Sequence, residues 1–191
     1  MGGNLSTTKS SVFQGIRAAQ VIRAAVLIAV GVAIAFSAPL HRDLSFDLWL
    51  LGGGLALIGA ATLLEYLALR GTLESWWIAA RSVVAFAAAG SLLAVNDTFT
   101  MALVLTLWAS LTAVITVMRL VRGVQPTKVA VPSILLSVAL AIASLVFRDD
   151  AVAVIGFFGA YAIIRGVFLG IAAFDPHPTV DAVPSSTRGS Q

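Results

Sequence analysis

The stretch AVAVIGFFGAYAIIRGVFLGIAA, residues 151–173, decides the fold. It carries one charge, Arg165, in a run otherwise free of charged side chains. A helix needs about 20 apolar residues to cross roughly 30 Å of hydrocarbon, and this run is long enough. It is continuous rather than alternating and far exceeds a barrel strand of about 10 residues, so it does not read as a strand. Five runs of the same kind precede it, at 21–39, 48–69, 76–95, 98–118 and 129–147. The breaks between them are short and polar. Residues 40–47 hold His41, Arg42 and Asp43, and residues 70–74 hold Arg70 and Glu74. Asn96 and Asp97 make a minimal turn, residues 119–128 contain Gly123 and Pro126, and Arg148, Asp149 and Asp150 close the last hairpin.

Composition agrees with this reading. The chain has 191 residues, 59% hydrophobic and 11% charged, with a mean hydropathy of +0.99. A soluble domain carries about 25% charged residues, so lipid must face much of this surface. The length allows one compact membrane domain, residues 17–174, between a cytoplasmic N-terminal tail, 1–16, and a flexible cytoplasmic C-terminal tail, 175–191. Cysteine is absent, which excludes disulfides and thiolate metal sites. No basic cluster interleaved with aromatics points to nucleic acid. The expected partner is the lipid bilayer, with another membrane protein or a second copy of the chain as candidates. No cofactor, catalytic or metal motif stands out, so an enzyme is not expected.

Positive charge orients a bundle of this kind. Lys9, Arg17, Arg23, Arg70, Arg81, Arg119, Arg122, Lys128 and Arg188 fall at one set of ends. The other ends hold Arg42 and Arg148 beside Asp43, Asp47, Asp97, Asp149 and Asp150. The expectation is an all-α integral membrane protein with six transmembrane helices and both termini cytoplasmic. Arg17 and Arg23 ahead of an apolar core, with Ala35-Phe36-Ser37 behind it, also fit a signal peptide. Cleavage there would leave five spans and break the hairpin pattern.

That pattern is threefold. GLALIGA at 54–60, SLTAVIT at 110–116 and AYAIIRG at 160–166 can be superposed, and their small residues coincide: Ala56 and Ala60, Thr112 and Thr116, Ala162 and Gly166. Residues four apart share a helix face, and small side chains there let backbones approach closely. Gly170 extends the stripe on the last helix. Ala25, Ala29, Ala33 and Ser37 repeat the habit on the first, and Arg23 and Arg81 hold similar places at the starts of their spans. Three hairpin pseudo-repeats about one axis are expected.

These features resemble the HdeD family of small six-span bacterial inner-membrane proteins. The hairpin of that family reads here as Arg23, Gly31 and Pro39 followed by 54–60, and again as Arg81, Gly90 and Asp97 followed by 110–116. The third copy has Arg148, Asp149 and Asp150 followed by 159–166, with no arginine matching Arg23, and the second copy lacks the glycine of its second helix. The resemblance spans about residues 17–174. It implies a bacterial inner-membrane location and a non-enzymatic role in acid or envelope stress, with no catalytic residues to carry over. A small transporter or channel and a membrane interaction scaffold are the other functional readings.

Arg165 is the leading site candidate. It sits eight residues before the end of its run, about 12 Å deep at 1.5 Å per residue. A charge at that depth costs at least about 2.5 kcal/mol, so something should offset it. Glu65 is the one carboxylate inside a span and is the candidate partner; Arg81 competes for it at similar depth. The alternative is that Arg165 snorkels to lipid phosphate and Glu65 faces water. Ala162, Gly166, Gly170, Ala56 and Ala60 are candidate packing positions. Thr106, Ser110, Thr112 and Thr116 could line a polar path or bond to helix carbonyls. Trp76 and Trp77 suit one interfacial belt and Trp49 the other, while Trp108 lies mid-span. His41, beside Arg42 and Asp43, is a candidate pH sensor, because an imidazole titrates near pH 6.5.

Overall fold

The computed structural model describes residues 5–174 apart from 38, 40, 42, 71–74 and 126, with side chains described from Arg17 onward. The C-terminal tail at 175–191 lies outside the described residues. Six helices follow in order: α1 Leu5–Phe36, α2 Leu44–Ala68, α3 Ser75–Leu92, α4 Thr98–Val121, α5 Thr127–Val146 and α6 Ala151–Phe174. No strand occurs among the described residues. α1 begins at Leu5, inside the stretch read as a tail, because no proline interrupts it and a nucleated helix propagates.

Among the described residues, five helices are long and apolar enough to cross a membrane: α2, α4, α5, α6 and the Arg17–Phe36 part of α1. The third run falls outside that set. α3 has only 18 residues, and Arg81, Ser82, Gly90 and Ser91 dilute its apolar content. The breaks read from sequence are the helix termini, and their carboxylates have a local task. Asp43 accepts the N–H of Ser45 at 3.1 Å, Asp97 that of Thr100 at 2.8 Å, and Asp150 that of Ala153 at 3.0 Å. Helix N-termini leave unpaired N–H groups, and an aspartate there satisfies one. The same device starts α2, α4 and α6 at the same, acidic end of the bundle. Its other end is rich in arginine and lysine.

The helices close into a ring. Each packs on its neighbours in the chain, and α6 returns onto α1. The most extensive interfaces are α1–α6, α2–α3 and α4–α5, alternating with lighter ones inside the pairs α1–α2, α3–α4 and α5–α6. The α1–α6 seam owes its closeness to glycine. A Cβ added at Gly31 would lie 2.6 Å from the Gly159 carbonyl oxygen, and one at Gly166 would lie 2.9 Å from that of Ala24. Of the packing positions expected from sequence, Ala162 and Gly166 are buried, Gly170 makes ordinary contact with Ala24, Ala56 is half-buried and Ala60 is exposed. The close α6 stripe therefore serves the chain's own first helix.

The middle of the ring is filled by apolar side chains. Leu27, Leu51, Leu55, Met101, Leu105 and Phe158 are fully enclosed. Trp108 packs edge-on against Phe158 at 5.8 Å and Tyr161 at 5.7 Å between ring centroids. Because α1 supplies Leu27, Val30 and Ile34 to this core, it is integral to the fold.

Candidate functional site

Toward the basic end, the buried stripes of five helices include a polar or charged residue. Ala19, Leu27, Val30 and Ile34 of α1 share a buried stripe with Arg23. Leu51, Leu55, Ile58 and Thr62 of α2 lead to Glu65, and Leu105, Ala109, Thr112 and Thr116 of α4 lead to Arg119. Leu140 and Ser137 of α5 lead to Ser133, and Phe158 and Ala162 of α6 lead to Arg165. Spacings of three and four residues put each polar group on the face its apolar neighbours bury. With Arg81 of α3, these side chains line one cavity of about 290 Å³ to which all six helices contribute.

A turn shapes its rim. Gly123 has a φ of 67°, a conformation in which a Cβ is strained. Its N–H donates to the Leu120 carbonyl at 3.0 Å, and the Val124 N–H donates to that of Arg119 at 3.0 Å. This pair of bonds is a Schellman cap, which ends α4 and turns the chain sharply. It sets Val124 and Gln125 on the cavity wall. The buried Oε1 of Gln125 has no hydrogen-bond partner among the described residues.

Four guanidiniums meet one carboxylate here. Arg23 Nη1 donates to Glu65 Oε2 at 2.6 Å, and the two side chains are only 5% and 7% exposed. The sequence set Glu65 opposite Arg165 or Arg81; the ion pair that forms is with Arg23, the neighbour across the first hairpin. Arg165 is 3% exposed, so it does not snorkel to the surface. Its guanidinium lies over the Tyr161 ring, 5.3 Å from the centroid, a cation–π contact that recovers part of the cost of burial. Among the described residues neither Arg81 nor Arg165 has a carboxylate within ion-pair distance. Arg23 Nε, buried, has no hydrogen-bond partner among the described residues. Among the described residues that line the cavity, four are arginines and one is a glutamate. Guanidinium does not lose its proton in proteins, and its fork matches the oxygens of phosphate or carboxylate.

On the side toward the acidic end, Tyr161, Phe158 and Trp108 fill the space next to Arg165 and are 0–3% exposed. Two of the α4 hydroxyls bond helix carbonyls. Thr106 reaches the Ala141 carbonyl at 3.4 Å and Thr116 bonds its own helix at Thr112, 2.8 Å. Trp49 and Trp76 are exposed at opposite ends of the bundle, and Trp77 lies under Arg122 at 5.0 Å.

His41 lies at the acidic end, away from the cavity. Its Nδ1 meets the carboxylate of Asp47, and its Nε2 lies 3.4 Å from both Ser37 Oγ and the Ile34 carbonyl. The side chains of His41 and Asp47 are 4% and 2% exposed. The histidine thus ties the α1–α2 turn to α2 rather than standing in water.

Arg119 was legible in the sequence as a charge that orients the chain, and Arg23 as that and as a repeat position shared with Arg81, neither as a site residue. The signal that could have found them is that each falls at helical spacing from the buried apolar residues of its own run. No protein-family model, curated protein or solved structure matches this chain.

Proposed function

We propose that this chain is a non-enzymatic, six-span protein of a bacterial inner membrane, with both termini cytoplasmic, that binds an anion at the basic end of its bundle. The observation that carries this reading is the buried cavity in which four arginines face one glutamate. Each buried ion loses several kcal/mol of hydration, roughly, and like charges repel more strongly away from water. An anion among the guanidiniums offsets both costs. The close-packed Tyr161, Phe158 and Trp108 favour a site that holds its ligand over an open channel. A transporter for the same anion is the second reading, and it requires α6 to move. The scaffold reading has less support, since the close glycine positions of α6 are occupied by α1.

The sixth crossing is α3. It packs between α2 and α4, each long enough to span, and it contributes Arg81 to the cavity. The aspartates that start α2, α4 and α6, and the alternation of tight and light interfaces, support three hairpin repeats. The role in acid or envelope stress rests on the HdeD resemblance.

Thermal unfolding of purified protein in detergent tests the anion site, comparing inorganic phosphate with chloride at matched ionic strength. Phosphate should raise the midpoint of the wild type and do little for Arg165→Gln. Equal responses of the two proteins would remove the site. Survival of a deletion strain after acid challenge, complemented with either form, tests the stress role; full survival without the protein would end it.

A further inference from the structure

The arginine cavity has a side door. Between α5 and α6, one of the lighter interfaces of the ring, lies a second cavity of about 180 Å³. The two share Val129, Ser133, Leu169 and Ala172, so they adjoin at these residues. The outer part of this cleft is apolar: Phe168 and Ile171 are 51% and 65% exposed on the face a membrane helix turns to lipid. Lys128, at the start of α5, stands at its basic end. Pro132 also lines it. With no N–H, Pro132 cannot return the helical bond to the Lys128 carbonyl, and its ring pushes the first turn of α5 aside.

Resting on the anion-binding reading, the geometry points to one kind of occupant: an anionic phospholipid whose phosphate group enters the arginine cavity while an acyl chain lies in the α5–α6 cleft. Val129, Phe168, Leu169 and Ile171 give the cleft an apolar wall that suits an acyl chain. At about 290 Å³ the cavity sits at the lower limit of the roughly 300–1,000 Å³ of pockets that engulf a whole small ligand. It suits a headgroup whose tails remain outside. Arg81 and Arg165, neither within ion-pair distance of a described carboxylate, favour a phosphomonoester, with nearly two charges near neutral pH, over a phosphodiester with one. The Ser133 hydroxyl lies where the cavities join, at the level of a headgroup oxygen.

Native mass spectrometry of delipidated protein tests this, with phosphatidic acid, phosphatidylglycerol and phosphatidylcholine offered in turn. Three proteins are compared: wild type, Arg81→Gln and Ala172→Trp. Ala172 is exposed, so a large side chain there plugs the cleft without entering the core, and this variant carries the test if Arg81→Gln misfolds. Wild type should retain phosphatidic acid over phosphatidylcholine by about tenfold or more, with phosphatidylglycerol between; Arg81→Gln should lose about tenfold, the effect of one charge-assisted hydrogen bond. Ala172→Trp should lose the lipid yet keep its thermal stabilisation by inorganic phosphate. If phosphate stabilises the protein while phosphatidic acid shows no preference, or survives the plug, the lipid inference is overturned and the anion site stands. If neither phosphate nor phosphatidic acid binds, both fall.

Discussion

Replacing Glu65 by glutamine removes the one carboxylate in a cavity of four guanidiniums. Its partner Arg23 lies at 2.6 Å, and both side chains are all but sealed from solvent. Breaking a buried pair by deleting one member costs about 3–5 kcal/mol, because the remaining charge stays buried without compensation. For a chain of this size each kcal/mol moves the unfolding midpoint by about 2–4 °C, so a fall on the order of 10 °C is expected in chloride. The sign of a second effect is as informative. Glu65→Gln raises the positive excess of the cavity, so added phosphate should stabilise the variant more than the wild type. Arg23→Gln works the other way: Glu65 still shares the cavity with Arg81, Arg119 and Arg165. It should lose less stability and respond less to phosphate. Intrinsic tryptophan fluorescence reads the transition, since Trp108 is buried in the core. A Glu65→Gln midpoint within about 2 °C of wild type, which is less than 1 kcal/mol, with no added response to phosphate, would refute the reasoning.

Four further outcomes follow from local geometry. Gly31→Ala should push α1 from α6 and cost about 1–3 kcal/mol by thermal unfolding, as overpacking does. Gly90→Ala, where a Cβ meets nothing within 4 Å, should be neutral or stabilising. Asp47→Ala should destabilise by about 1–3 kcal/mol, because His41 then loses its buried partner; an unchanged midpoint would show that the turn does not depend on this contact. The Thr100 N–H holds the Asp97 carboxyl below the usual carboxylate range. A carboxyl depressed on folding stabilises fully above its unfolded value, about pH 4, and loses that contribution as pH falls through the lower folded value. Wild type should therefore exceed Asp97→Ala near neutral pH and converge with it in strong acid. A gap that persists at low pH would assign the effect to packing rather than to the cap.

Helices and turns were legible because hydrocarbon thickness imposes long apolar runs and charged residues punctuate them. α3 read as a span of the same kind, yet Arg81 and its serines leave it less apolar than the others. Arg165 stood out as a charge deep in a run, whereas Arg23 and Arg119 sit near span ends, where the positive-inside tendency already accounts for arginine. Their convergence depends on how α1 and α4 rotate in the ring, a tertiary property that no single run encodes. Glu65 found Arg23 because the two share a depth within one hairpin, while the match to Arg165 weighed depth alone. Gly166 was visible as part of a small-residue stripe; that it meets Ala24, and that Gly31 meets Gly159, depends on α6 closing onto α1. Asp47 read as outer-face charge, but the α1–α2 turn folds His41 onto it.

The central claim is that the arginine cavity receives an oxyanion, and the most direct measurement is the position of a heavy one. Crystals grown with tungstate should show an anomalous peak within hydrogen-bond reach of Arg81 and Arg165, absent in Arg165→Gln. A cavity with no such peak, its guanidiniums met by water alone, would contradict the claim.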